Sequence, residues 1–215
     1  MNEVFVPARI EVTTLGEAWM AIAAAILEDG VAGSWEGLPI VEVFRATLDV
    51  HSPKVDDPII AQYGDPERVA WMHANFTDHS RVADLGDADS YATRLYDYAR
   101  TGRDQVGWVI DRLAANPSAR DATITTFQPL TDTSYIPCVS VLDFWLVEGE
   151  LQLAVYAHSI DFGTKGYANL VELAALQTRV AGDLDAAVGA LTMTVKSAHI
   201  YQTELHLMRR IVAAN

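Results

Sequence analysis

The stretch Ile136–Leu176, IPCVSVLDFWLVEGELQLAVYAHSIDFGTKGYANLVELAAL, decides the fold class. Within it, Val139 to Val147 and Leu151 to Ser159 are rich in β-branched and aromatic residues and flank Glu148-Gly149-Glu150, whose glycine suits a tight turn. Two antiparallel strands are therefore expected. Ala168 to Ala181 then places Leu170, Leu173, Ala174 and Val180 at helical spacing, and a strand is predicted from Leu191 to Tyr201, followed by a short C-terminal helix. Strands interleaved with helices in this order predict an α/β protein with a mixed sheet covered by helices.

Working outward, Val106, Val109, Ile110 and Leu113 mark an amphipathic helix that stops at Asn116-Pro117, and Asp121–Phe127, DATITTF, reads as a strand. Pro39 to Val50 partly alternates and reads as another strand. Thr14-Leu15-Gly16-Glu17 has capping-box spacing and opens a helix carrying Leu15, Trp19, Ile22 and Ile26 as far as Asp29-Gly30. The segment from His51 to about Tyr98 has the weakest pattern. Neither a linker nor an internal repeat divides the chain, so residues 1–215 are expected to form one domain.

The formal net charge of -14 opposes binding to DNA or RNA polymers, which requires clustered Lys and Arg. A small phosphorylated ligand needs only a few donors in one pocket and stays compatible with that charge. The apolar run Ala18–Leu27 lies between Glu17 and Glu28 and covers about half of a ~20-residue membrane span, so it reads as a core helix. The opening MNEVFVPARIEV has no cationic segment leading into an apolar one, and a cytoplasmic protein is expected. The single cysteine, Cys138, cannot form an internal disulfide, in keeping with that compartment.

The chain lacks a Gly-rich phosphate loop, a GxSxG elbow and an HExxH metal motif. His73, Asp78 and His79 do not have the i,i+4 spacing of a helical metal pair, so no metal is expected there and solvated surface is the default reading. A lone cysteine is usually a small buried hydrophobe. Pro137-Cys138, however, opens a strand, where a thiolate nucleophile can be held rigidly at a pocket edge once a positive or hydrogen-bonding neighbour lowers its pKa. His199 and Tyr201 are two apart on a strand and share a face, either as core residues or as ligands for hydroxyl groups. Asn169 suits a helix cap or a reader of a base edge.

With these residues in view, the chain from Ile136 to Leu176, together with Lys196–Tyr201, KSAHIY, resembles the C-terminal half of the thymidylate synthases, above all the short archaeal-type members. The likeness rests on Pro137-Cys138, the Ser-x-Asp of Ser159 and Asp161, Asn169, and the His-x-Tyr of His199 and Tyr201, all in the family's order. Upstream it extends through Asn116–Asp121, similar to the family's segment ending in paired arginines, to Tyr91 as an active-site tyrosine.

The resemblance implies a homodimeric thymidylate synthase-like fold and a folate-dependent one-carbon transfer, methyl or hydroxymethyl, from 5,10-methylenetetrahydrofolate to C5 of a pyrimidine nucleotide. It makes Cys138 the nucleophile that adds to C6, and Asn169 the base reader, favouring uracil because cytosine-specific relatives carry an acidic residue there. Asp161 would contact the folate, His199 and Tyr201 the sugar hydroxyl, and Ser159 and Arg120 the phosphate, with Arg120 reaching into the neighbouring subunit. The chain departs from the family in two places: His158 stands where the family has a phosphate-binding arginine, and Asp121 replaces the second of the paired arginines. No position matches the family's early-helix glutamate. The alternatives are a relative that acts on a less phosphorylated acceptor and a non-catalytic homologue that retains the pocket for binding.

Overall fold

A computed structural model describes residues 8–133 and 135–215, so the sequence-based reading of the chain's opening falls, for residues 1–7, outside the described residues. In chain order the first half contains β1 (Arg9–Val12), α1 (Leu15–Asp29), β2 (Val31–Trp35), β3 (Leu38–Val50), α2 (Pro58–Tyr63), α3 (Pro66–Thr77), β4 (Arg81–Val82), β5 (Ala88–Asp89) and α4 (Tyr91–Tyr96). The second half contains α5 (Gln105–Ala115), β6 (Thr123–Thr125), β7 (Val139–Val147), β8 (Glu150–Asp161), α6 (Gly166–Asp183), β9 (Ala187–Tyr201) and α7 (Leu205–Ala214).

The main sheet has seven strands in the order β1-β3-β9-β8-β7-β6, with β2 also paired to β3. Pairing is parallel for β1–β3 and β8–β9 and antiparallel elsewhere, so the expected mixed sheet is present. β7 and β8 form the predicted hairpin, and Glu148 (φ 52) with Gly149 (φ 84) supplies the pair of left-handed residues that a tight hairpin requires. At α1 the capping box is formed, with Glu17 N–H donating to Thr14 Oγ1 at 3.2 Å and Thr14 N–H donating to Glu17 Oε2 at 3.0 Å.

Several boundaries differ from the sequence reading. The strand expected over Asp121–Phe127 is confined to Thr123–Thr125, while β9 begins four residues before Leu191. The weakly patterned segment holds α2 and α3, each opened by an Asp-Pro step: Asp57 and Asp65 accept from backbone N–H groups of the first turn, and Pro58 and Pro66 occupy positions that need no N–H. Asp57 also accepts from Gly16 N–H at 2.8 Å, which ties α2 to the start of α1.

Alternation along β8 buries Leu151, Leu153, Val155 and Ala157 on the face that packs on the helices, and turns Gln152, Ala154, Tyr156 and His158 to the other face. Phe44, Val141, Trp145 and Tyr156 stay partly exposed. The core therefore sits between one sheet face and the helices. α6 is buried on most sides, through Leu170, Leu173 and Val180 and through Gln177, which donates to Leu151 O at 2.8 Å.

Candidate active site

The sheet registers bring the chemistry together at one end. β7 runs antiparallel to β8, so the start of β7 lies beside the end of β8, where His158 N–H donates to Cys138 O at 3.0 Å. β9 runs parallel to β8 and pairs Ser159 with Ser197 and Asp161 with His199, so its end arrives at the same place. β3 begins there too, opposite Tyr201, and the turn before it delivers Trp35 and Glu36. The result is a cavity of about 710 Å³ whose wall includes Cys138, His158, Ser159, Asp161, Asn169, His199, Tyr201 and Tyr91. Eight of the nine predicted site residues thus meet across sequence separations that only the sheet can close.

Cys138 is half-buried at the cavity wall. Burial pushes its thiol up, while the Lys165 charge and a hydrogen bond from the Tyr135 hydroxyl pull it down, and the Asp161 carboxylate adds a smaller upward push. Tyr91 fixes the strand behind the sulfur, because its oxygen accepts the Val139 N–H at 3.0 Å and its ring lies 4.6 Å from that of Phe76. Burial raises the Tyr91 phenol well above its usual range, so the oxygen stays protonated at neutral pH. The Asp161 carboxylate accepts from Gly163 N–H at 2.9 Å and from the Thr164 hydroxyl.

Ser159 Oγ lies 3.3 Å from His199 Nδ1, whereas the buried Nε2 of His199 has no partner among the described residues. Tyr201 meets the His199 ring edge-on at 5.3 Å. Asn169 lies in the first turn of α6, with its N–H and Nδ2 both donating to Lys165 O, so it does not cap the helix. That arrangement leaves its side-chain oxygen available to the cavity. His158 lies 3.4 Å from Ser140 Oγ, and burial and the Lys196 charge both hold its imidazole below the ordinary range.

Arg120 is not brought to this cavity by its own chain, for it is exposed and donates to the carbonyls of Ser118 at 2.9 Å and Ala119 at 3.3 Å. Asp121 is paired with Arg112 at 2.8 Å, so its charge is already matched. Outside the cavity, His73 is hydrogen-bonded to the buried Glu172 at 3.2 Å. Sequence reasoning missed Tyr135, Trp35, Glu36, Trp71, Asn75 and the two lysines, Lys165 and Lys196. Lys165 carried a readable signal, as the sole cation between Ile136 and Leu176. Glu36 and Asp161 are the carboxylates of the described wall, and neither comes from an early helix.

The family model described as thymidylate synthase matches residues 56–214, which is most of the chain and includes every element of this site except the Trp35–Glu36 turn. The chain belongs to the thymidylate synthase family. A protein named "Putative thymidylate synthase" from Methanosarcina mazei is 33% identical over 212 residues, covering 94% of each chain. A protein of the same name from Methanothermobacter thermautotrophicus is 28% identical over 218 residues, covering 94% of this chain and 97% of its own. The thymidylate synthase of Human herpesvirus 8 is 27% identical over 142 residues, covering 61% of this chain and 42% of its own. Membership makes the chain a thymidylate synthase-like transferase, of a family whose one-carbon donor is 5,10-methylenetetrahydrofolate. Among the described residues no helix is long and apolar enough to cross a membrane.

The cavity suits that donor. Trp35, Trp71, Phe127 and Tyr135 give flat aromatic walls against which a pterin can lie, and Asp161 offers an acceptor among them. The unpartnered His199 Nε2 marks a polar position that a ligand hydroxyl would satisfy.

Proposed function

We propose that the protein transfers a methyl or hydroxymethyl group to C5 of a uracil nucleotide through a covalent adduct at Cys138. The observation that carries this reading is the convergence of Cys138, Asp161, Asn169, His199 and Tyr201 on one cavity. The Cys138 thiolate forms an S–C bond at C6, and the electron pair of the C5=C6 bond moves to C5, with charge spread onto O4. The bound folate would supply the one-carbon unit as a methylene, which bonds to C5 while its bond to the folate nitrogen breaks, and would either reduce it to methyl by hydride transfer or leave water to add and give hydroxymethyl. Loss of the C5 hydrogen as a proton and departure of the Cys138 thiolate restore the C5=C6 double bond. Asn169 reads the base edge through its free oxygen, and His199 with Tyr201 holds the sugar hydroxyl. Tyr91 acts from behind, holding the Val139 peptide and with it the direction of the sulfur.

A homodimer joined through the uncovered sheet face is part of the same reading. Phe44, Val141, Trp145 and Tyr156 would be buried there. His158 and Lys196 face the same side, where the partner's Arg120 would supply phosphate charge.

The absence of arginine from the described cavity wall favours a second reading, in which the acceptor carries less phosphate than a nucleotide. The first test is release of tritium from C5 of labelled dUMP and deoxyuridine in the presence of the folate, together with mass detection of the adduct formed by a 5-fluoropyrimidine. Cys138→Ala is expected to abolish both while leaving the thermal melt within a few degrees, because it removes the nucleophile and leaves only a small cavity. Turnover above a few per cent in Cys138→Ala refutes covalent catalysis. Binding without exchange in the native protein identifies a non-catalytic homologue.

A further inference from the structure

A thiol buried in a cavity wall resists ionisation, so Cys138 needs a cation close at hand. His158 lines the same cavity but does not meet that need, since burial and the Lys196 charge hold its imidazole below the ordinary range. Lys196 also borders the cavity, but it is exposed. Lys165 is placed differently. It is half-buried at the end of the turn that follows β8, its N–H donates to Asp161 O at 3.2 Å, and its ammonium sits over the Trp71 ring, 5.6 Å from the centroid, in the wall that also contains Cys138. Lys165 joins none of the ion pairs found among the described residues, so its charge is not already matched by a carboxylate.

We propose that Lys165 is the cation that holds Cys138 as a thiolate. The proposal rests on the reading of Cys138 as the nucleophile. The S–H proton leaves to solvent before the substrate binds, and Lys165 stays an ammonium throughout, forming no covalent bond. The other groups around the sulfur do not supply this charge. Tyr135 donates a neutral hydrogen bond, Tyr91 and Tyr201 are phenols pushed up by burial, and burial keeps His199 neutral. Asp161 opposes the thiolate, but its carboxylate is bonded to Gly163 N–H and the Thr164 hydroxyl.

Because Cys138 is the only cysteine, alkylation by iodoacetamide reports on this one sulfur. The rate is to be followed against pH, without substrate, for the native protein and for Lys165→Met, Lys165→Arg and Lys196→Met. In Lys165→Met the midpoint is expected to rise by about one unit or more, so that alkylation at neutral pH slows about tenfold. Lys165→Arg should stay close to native, and Lys196→Met should leave the midpoint in place. A native midpoint in Lys165→Met, or an equal rise in Lys196→Met, overturns the proposal. Should a thermal melt reveal that Lys165→Met does not fold, Lys165→Gln provides the same comparison. No pyrimidine is present, so a failure here is separate from a failure of the proposed reaction.

Discussion

At the residue scale, the departure that matters most is His158. Its neighbours, burial and Lys196, both disfavour the imidazolium, so near pH 7 the ring is neutral and offers a phosphate at most one uncharged donor. A charged hydrogen bond is typically worth about 1.5 to 3 kcal/mol, or roughly tenfold to a hundredfold in affinity. His158→Arg is therefore expected to improve dUMP binding by that factor and to leave deoxyuridine unchanged or weaker. Because its imidazole is held below the ordinary range, the native histidine gains charge only on acidification, so the ratio of native to His158→Arg affinity for dUMP should rise as pH falls. Taking the ratio cancels protonation of the phosphate itself. Calorimetry with both ligands at two pH values provides the measurement, and a flat ratio would mean that His158 does not face the phosphate. Asp121 drops out of this argument, because Arg112 already balances it.

At the element scale, the loop that carries Tyr135 and Cys138 is held by α4. Arg94, buried on that helix, makes a two-pronged pair with Asp132 at 2.7 and 2.9 Å and donates to Thr126 O at 2.8 Å, while Asp132 also accepts from Gln128 N–H at 2.7 Å. Together with the Tyr91 bond to Val139, this ties one short helix to both ends of the segment that positions the sulfur. Removing one member of a buried pair leaves the other charge uncompensated, so Arg94→Met should cost about 3 to 5 kcal/mol in chemical denaturation. Arg94→Met combined with Asp132→Leu should recover part of that loss while leaving the loop without its anchor, so stability and turnover should separate. A loss below about 1 kcal/mol for the single variant would show that water reaches the pair and screens it.

At the scale of the whole molecule, one sheet face is packed under helices and the other is open, with Phe44 and Tyr156 among its exposed apolar residues. A homodimer through the open face should appear at micromolar concentration in sedimentation velocity, and Tyr156→Asp should shift it toward monomer by placing charge in the contact. Mixing Cys138→Ala with Arg120→Ala subunits should restore one working site per hybrid dimer if Arg120 acts across the interface; no recovery would confine each site to its own chain. The sequence by itself determined what short-range patterns encode: the capping box at Thr14, the β7–β8 hairpin, and the order of Cys138, Asp161, Asn169, His199 and Tyr201. It left α2 and α3 obscure because their apolar faces are short, although the Asp-Pro steps at Asp57 and Asp65 did signal their starts. Only the tertiary structure decided that Lys165 shares a cavity wall with Cys138. The physical reason is that β7 runs antiparallel to β8, so the turn that follows β8 returns Lys165 to the end of the sheet where β7 begins with Cys138.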